Sequence, residues 1–470
     1  MNPNSLPSGN GLILLLLALV WWPGSTFAQG NDGMLLTTIT NPTPVTSDIF
    51  GGAVAAVGSD RVIVGAEGAG EAYLFSLTGA LLTTFTIPDP AAGSFGAALA
   101  AVGSEQVLIG AYNYTAGVPS AQAGRAYLFS TNGTLITTFT NPAPATTQGF
   151  GWTVNAVGSE RALISGLADV SKPAPYPGTV YLFSTNGSLL TSFTNPTPAF
   201  DGGFGAAAAA VGDDRVLIGA PYNSTGAAGA GSAYLFSTNG ALLTTFTNPI
   251  PTTGDNFGTS VAAVGSDRVL ISAIDYGGSK GTGGAAYLFS TNGTLLNTFT
   301  NPTPAAYDYF GWSVAAVGST RVLIGAYQDG TGAFQAGSAY LFSTNGTLLN
   351  TFTNPTPARQ DWFAWSVAAA GTDRVIIGGV WDDTGATDAG SAYLYALPYP
   401  PLSISRTAAT VSVSWVTPET GLVLQETGLL GTPTVWNNTT NLVSVNSMTS
   451  VVQQSITNGP TTRLYRLSRP

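Results

Sequence analysis

Along most of this chain, short apolar runs alternate with short polar breaks, and the order of the runs repeats. In the stretch from Phe310 to Thr353 the runs are Ser313–Val317, Val322–Gly325, Ala339–Phe342 and Leu348–Phe352. Their Val, Ile, Leu, Tyr, Phe and Thr suit a pleated surface, and no 3.6-residue stripe competes with that reading. A Gly-Ser-Thr-Arg turn joins the first two runs, and Ser-Thr-Asn-Gly-Thr joins the last two. Asn-Gly predicts a tight type I′ hairpin with positive φ at both turn positions. It recurs at Asn132, Asn186, Asn239, Asn292 and Asn345. Each unit therefore reads as one small antiparallel sheet of four strands.

The unit occurs seven times, marked by Phe-Gly or its equivalent at Phe50, Phe95, Phe150, Phe204, Phe257, Phe310 and Phe363. A sheet this small cannot bury both faces alone, but like sheets stacked around an axis can, which is the plan of a β-propeller. The first run has the small residues that an innermost strand needs, as in Ala53–Gly58 and Ala206–Gly212. The outermost-strand motif, Leu-Leu-Thr-Thr-Phe-Thr at Leu81 and Leu242, has no copy after Ala392–Tyr395; the displaced copy is Leu35–Thr40. The chain is thus expected to be all-β, a seven-bladed β-propeller over residues 34–398 in which Leu35–Thr40 completes the last blade. After Tyr399-Pro400-Pro401 the pattern changes to plain alternation, in Leu402–Val416, Gly421–Glu426, Leu442–Val445, Ser450–Ile456 and Arg463–Leu467. Residues 402–470 are expected to form a small C-terminal β-sandwich.

The repeat resembles the FG-GAP repeat of the integrin α-chain propeller and of many bacterial secreted propellers. Blade four carries the motif most fully, with Phe204-Gly205, then Gly219-Ala220-Pro221, then Gly231-Ser232-Ala233-Tyr234-Leu235-Phe236. The resemblance runs from Leu35 to Leu397 and implies a propeller fold, not a particular activity. It also implies calcium, which integrin-type repeats hold in an Asp-x-Asp-x-Asp-Gly loop between the first two strands. Here that loop is cut to Gly-Ser-Asp-Arg, as at Gly265–Arg268. One carboxylate followed by a cation cannot surround Ca²⁺, so no metal and no cofactor is expected.

Charge is sparse, 8% of residues, with a net of −10 and only two lysines, Lys172 and Lys280. That composition excludes a phosphate-neutralising surface and hence nucleic acid as a partner. Residues 1–28 read as a signal peptide, with an apolar core over Leu12–Trp22 too short to span a bilayer and Thr26-Phe27-Ala28 before Gln29. No other long apolar segment exists, so no transmembrane segment is expected after cleavage. Cysteine is absent, so packing rather than disulfides must hold the fold. These features point to a monomer that is secreted or held at the cell envelope or surface.

There is no histidine, which removes Ser-His-Asp and Cys-His catalysis. Function is therefore sought in the loops joining strands two and three and strands four and one, which share one face and vary while the opposite turns repeat. They carry Tyr112, Tyr114, Asp169, Tyr176, Tyr222, Asp275, Tyr276, Tyr327, Asp329, Trp381, Asp382 and Asp383. Tyr222, Tyr276, Tyr327 and Trp381 follow strand two, outside the repeated core, and aromatic faces beside carboxylates suit a glycan or a protein partner. The candidate binding residues are Tyr112, Tyr222, Asp275, Tyr276, Tyr327, Asp329, Trp381 and Asp382. Carboxylate chemistry, as in a carbohydrate-active lyase or hydrolase, is the alternative, and a structural surface protein is a third. Trp152, Trp312 and Trp365, and the Tyr of each Ala-Tyr-Leu-Phe, read as repeated blade aromatics. The turn arginines Arg61, Arg161, Arg215, Arg268, Arg321 and Arg374 read as structural bonds to a turn or a neighbouring blade.

Overall fold

The computed structural model describes residues 33–89, 93–112, 124–143, 149–167, 178–197, 202–275 and 283–397, together with strands within residues 403–468. The propeller, ending at Leu397, and the C-terminal strands are separate compact units.

The propeller contains seven antiparallel sheets of four strands. Blades 1 to 6 span Phe50–Thr86, Ser94–Thr140, Phe150–Thr194, Ala208–Thr247, Val261–Thr300 and Phe310–Thr353. Blade 7 takes three strands from Phe363–Ala396 and its outermost strand from Met34–Thr40. In blade 6 the strands are Phe310–Val317, Arg321–Ala326, Ser338–Ser343 and Leu348–Thr353, each longer than its apolar run. The polar residues flanking each run still pair in the ladder.

The Asn-Gly turns are not type I′. Gly346 has φ +96° while Asn345 stays at negative φ. Gly346 N–H donates to Ser343 O at 2.9 Å, and Ser343 N–H to Thr347 O at 2.9 Å. This is a turn ending in one left-handed glycine, the three-residue hairpin loop. The Asn345 side chain accepts from Thr347 N–H, so asparagine is there for its side chain rather than for its tolerance of positive φ.

Hydrophobic contacts fall into seven clusters, each spanning one junction between neighbouring blades. The core is thus a ring of seams, not a central mass. At the seam of blades 5 and 6, Phe299 packs on Phe342 at 5.4 Å between centroids, and Phe310 meets Phe342 edge-on at 6.3 Å and Tyr340 at 5.8 Å. Such ring contacts add about 0.5–1.5 kcal/mol each beyond the area they bury.

The backbone comes equally close at these seams. Gly51 has φ +89°, and its carbonyl oxygen presses on Gly378 in the second strand of blade 7. A Cβ at Gly378 would overlap that oxygen, and one at Gly390 would overlap the backbone of Phe50. Phe50 N–H donates to Ala389 O at 3.0 Å, and Phe50 bridges Gly390 in parallel. On the opposite face the turn arginines reach the next blade, as expected: Arg61 Nη2 donates to Ser104 O at 2.7 Å, Arg215 to Ser266 O at 2.6 Å and Arg268 to Ser319 O at 2.6 Å.

The ring closes as the displaced motif predicts. Met34–Thr40 pairs antiparallel with Ser391–Ala396, with Ile39 opposite Ala392 and buried. Closure by a separate strand leaves one mark. Thr83, Thr137, Thr191, Thr244 and Asn297 each donate to a carbonyl of the next blade's strand three–four turn. Blade 7 has no such turn, and the corresponding Asn350 Nδ2 is buried without a partner.

In the second unit, seven strands between Ser403 and Ser468 form one sheet of four and one of three. No helix among the described residues is long and apolar enough to cross a membrane.

Two outcomes test the seams and the closure. Gly378→Ala should lower stability by about 2–4 kcal/mol, the range for forced overlap in a packed backbone. Gly330→Ala, where nothing lies within 4 Å, should change it by less than about 1 kcal/mol; both are read by denaturant unfolding. Removing residues 29–40 should expose the edge of the Ser391–Ala396 strand and cause aggregation; a variant that stays monomeric with an unchanged melting temperature would contradict the closure.

Candidate functional site

The variable loops share a face because each blade enters and leaves its second and third strands on that side. Seen there, the loop acids are structural. In blade 6, Asp329 Oδ2 accepts from Tyr340 OH at 2.6 Å and Thr303 Oγ1 at 3.1 Å, and its Oδ1 from Ser338 Oγ at 3.2 Å and Thr331 N–H at 2.8 Å. Asp308 Oδ2 accepts from Asn301 Nδ2 at 2.8 Å and Ala305 N–H at 2.7 Å. Blade 7 repeats the arrangement, with Asp382 held by Tyr393 OH, Ser391 Oγ and Thr384 N–H, and Asp361 by Asn354 Nδ2 and Ala358 N–H. Asn354 Nδ2 also reaches Asp382 at 3.3 Å, tying the two loops together. In blade 4 Asn223 takes the place of the first acid and bonds Tyr234 OH at 2.7 Å.

This corrects part of the expected site. Asp275, Asp329 and Asp382, expected on an exposed loop surface, are buried. A loop at the end of a blade must satisfy its own backbone groups, and Asp329 and Asp382 do so for Thr331 and Thr384. The Tyr of Ala-Tyr-Leu-Phe joins this network at Tyr234, Tyr340 and Tyr393, whereas the Tyr127 hydroxyl is buried without a partner.

The aromatic residues divide differently. Tyr327, expected outside the core, is 6% exposed. It stacks on Tyr309 at 5.3 Å and meets Trp312, Trp362 and Trp365 at 4.9, 5.1 and 4.9 Å. Trp381 lies flat on Trp362 at 3.5 Å, Trp362 stacks on Trp365 at 5.4 Å, and Trp312 meets Trp365 at 4.8 Å. Tyr307, 51% exposed, extends the group through Tyr309. Tyr327 anchors the cluster; Tyr309, Trp312, Trp362, Trp365 and Trp381 are partly exposed around it. Trp312 and Trp365 are therefore not merely repeated blade filler. They belong to a continuous aromatic surface across blades 6 and 7.

The remaining candidates lie apart. Tyr112, on blade 2, donates to Glu67 Oε1 at 2.7 Å and meets the Trp152 ring at 4.8 Å, joining blades 1, 2 and 3. Tyr222, on blade 4, is 47% exposed and lies over Gly203. Tyr114, Asp169, Tyr176 and Tyr276 fall outside the described residues.

Sequence reasoning missed Tyr309 and Trp362, which immediately precede the Phe of blades 6 and 7. The signal was present: that position reads Ile49, Ser94, Gly149, Gly203, Asn256, Tyr309 and Trp362, so it varies inside an otherwise constant motif. Its backbone is left-handed in six blades, with φ +57° at Ile49, +65° at Gly149, +61° at Gly203, +53° at Asn256, +53° at Tyr309 and +50° at Trp362. Bulky residues in that region cost of order 1–3 kcal/mol. The buried indole Nε1–H of Trp362 also has no acceptor, a further cost.

Among the described residues no group of three or more Asp or Glu is placed to hold a metal ion. In the shortened turns each Asp instead faces its neighbouring Arg, at 3.3 Å for Asp60–Arg61 and 3.4 Å for Asp267–Arg268.

Comparison with known proteins agrees with this architecture. Residues 297–342 and 350–395 match the family model described as FG-GAP repeat. Each matched segment runs from an outermost strand into the third strand of the next blade, the same phase in which Met34–Thr40 precedes blade 1. The chain carries FG-GAP repeats on a seven-bladed β-propeller. No curated protein matches it. Among solved structures it is similar to selenomethionine-substituted virginiamycin B lyase from Staphylococcus aureus, at 11% identity and TM-score 0.54, over 77% of this chain and 99% of that one. It is also similar to Chaetomium thermophilum Raptor, at 12% identity and TM-score 0.52, over 78% of this chain and 29% of that one. At these identities the likeness is one of fold.

The buried carboxylates make stability depend on pH. Burial pushes Asp308 and Asp361 up to about 6, against the hydrogen bonds from Ala305 and Ala358, and with help from the charges of Asp329 and Asp382. Burial would raise Asp382 too, but hydrogen bonds from Thr384, Tyr393 and Asn354 outweigh it and hold that carboxyl below its ordinary value. The folded state binds protons at Asp308 and Asp361 more tightly than the unfolded chain does. Their contribution is therefore greatest below about pH 4 and is lost as the pH rises through about 6. The double variant Asp308→Asn, Asp361→Asn keeps the acceptors and removes the titration. Its melting temperature should change less between about pH 4 and 7 than that of the native chain; parallel profiles would contradict the assignment.

Proposed function

We propose that this chain is a secreted or cell-surface protein of binding or adhesion, which holds a glycan or protein ligand against the aromatic surface of blades 6 and 7. The observation that carries this reading is the pair Tyr309 and Trp362. Both occupy left-handed backbone at a position where blades 3 and 4 have glycine. Blades 1 and 5 hold Ile49 and Asn256 in the same left-handed backbone, so the conformation belongs to the repeat; what sets blades 6 and 7 apart is that the side chains presented there are aromatic and partly exposed. Partly exposed Trp and Tyr rings in contact are also the surface on which sugar C–H faces and protein hot spots are held. The apolar segment Leu12–Trp22 supports export and the envelope or surface location.

The carbohydrate-active alternative has less support. The loop acids it would use are committed to buried hydrogen bonds, as at Asp329 and Asp382. The likeness to a lyase rests on the ring alone.

A glycan array, followed by calorimetry on any hit, tests the reading. Trp362→Ala with Trp381→Ala should weaken binding by more than about 2 kcal/mol, the size of a hot spot. Substituting Asn186, Asn292 and Asn345 by Asp, in turns on the other face, should leave affinity unchanged. The reverse result would place the contact on the turn face.

A further inference from the structure

Beside the aromatic group runs a row of three side-chain amides. Gln328 Nε2 donates to Tyr327 OH at 3.3 Å, Gln335 Nε2 to Gln328 Oε1 at 3.0 Å, and Gln360 Nε2 to Gln335 Oε1 at 3.4 Å. Backbone bonds hold the row against the rings, since Gln360 N–H donates to Phe334 O at 3.0 Å and Trp362 N–H to Gln335 O at 3.4 Å. All three glutamines are partly exposed. The repeat does not require them. Where blade 4 meets blade 5, Gly254 N–H and Asn256 N–H make the same two backbone bonds, to Ala228 O and Gly229 O. The places of Gln328, Gln335 and Gln360 are held there by Tyr222, Gly229 and Gly254. Gly229 and Gly254 have φ +62° and +80°, against +56° and +66° at Gln335 and Gln360, so the glutamines are not needed for that backbone either. Nor do their side chains serve the loops. Among the described residues the amides bond only one another and the Tyr327 hydroxyl. An amide has two N–H donors and an oxygen with two lone pairs. Each Nε2 therefore keeps one N–H to spare, and Gln360 Oε1 keeps all its capacity.

We propose, building on the reading of the aromatic surface as the ligand face, that the ligand is a neutral polysaccharide whose sugar C–H faces lie on the rings and whose hydroxyls bond the row Gln328–Gln335–Gln360. Two observations select this class. The first is the pairing of surfaces. A sugar has an apolar face edged by hydroxyls that both donate and accept, and this seam sets aromatic rings beside amides that do the same. A protein partner pressing apolar side chains onto the seam would leave those amides unpaired, at about 1–3 kcal/mol for each group. The second is charge. The loops of blades 6 and 7 on this face carry Asp308, Asp329, Asp361, Asp382, Asp383 and Asp388 against Arg359 alone, and the Arg359 guanidinium lies over the Phe334 ring at 5.3 Å. The resulting negative field opposes uronate or sulfate groups. Several rings in contact also exceed the face of one sugar, which favours a chain over a monosaccharide.

Affinity electrophoresis of the full chain tests this, through gels containing mixed-linkage β-glucan, xyloglucan or galactomannan and through gels containing polygalacturonate, alginate or chitosan. At least one neutral gel should retard the native chain and the charged gels should not. The retardation should be the same at about 0.05 and 0.5 M NaCl, because no ion pair is made. Gln335→Gly with Gln360→Gly installs the residues with which blades 4 and 5 fold. It should weaken binding about ten-fold, with melting little changed. Retardation by no neutral polysaccharide, or preferentially by a charged one, overturns the proposal. So does a folded Gln335→Gly, Gln360→Gly chain that binds the neutral polysaccharide like the native chain. Trp362→Ala with Trp381→Ala separates this failure from failure of the binding face itself. If that variant loses the ligand the native chain holds, only the neutral-sugar assignment falls; if it keeps the ligand, the aromatic surface falls as well.

Discussion

Seven sheets become one ring because the Phe-Gly pair at the head of each blade enters a slot in the blade before it. The Phe side chain fills the apolar part of the seam, and the glycine carbonyl presses on a backbone that can have no side chain. At the closing seam Gly51 meets Gly378, and Phe50 lies along Gly390. Ring packing tolerates some repacking, but overlap of backbone atoms does not relax. The glycines of the repeat are therefore a condition of its curvature. Where the second-strand glycine is replaced, as by Ser165 and Ser272, the next blade's Gly205 and Gly311 rest against the serine Cβ, and the seam survives by a small local adjustment.

The same constraint explains why the loop face is rich in buried, hydrogen-bonded acids. Blades joined by short Asn-Pro links leave backbone donors beside the rim, and Asn, Asp, Ser, Thr and Tyr side chains satisfy them in a repeated network. Proline keeps these links extended, and in four of them the Asn side chain points back to the next Asp, as Asn301 does to Asp308. Once those carboxylates are accounted for, the largest group of aromatic rings on that face among the described residues lies on blades 6 and 7.

Much of this was legible in the sequence, because repetition multiplies a weak signal. One four-run unit is ambiguous; seven in register state the blade count, the strand order and the displaced outermost strand. The arginine latches were legible for the same reason, since six copies of one residue in one turn imply a structural task. The turn type was not legible, because Asn-Gly fits two hairpins and only the backbone shows that Gly346 alone is left-handed. Exposure in the loops was not legible either. Asp329 and Tyr327 look like solvent-facing loop residues, yet one is consumed by Tyr340 and Ser338 and the other by four neighbouring rings.

By itself, then, the sequence determined the architecture: a closed seven-bladed ring of small four-stranded sheets, completed by its N-terminal strand. Local pattern and repetition dictate this, because each strand's alternation and each glycine's position act within one unit and its neighbour. Only the tertiary structure decided which loop residues face solvent. It gathered Tyr309, Trp312, Trp362, Trp365 and Trp381 around Tyr327, although they come from separate loops and strands of two blades. That grouping depends on the left-handed backbone ahead of Phe310 and Phe363 and on the packing of blades 6 and 7 against each other, and neither is written in the spacing of residues along the chain.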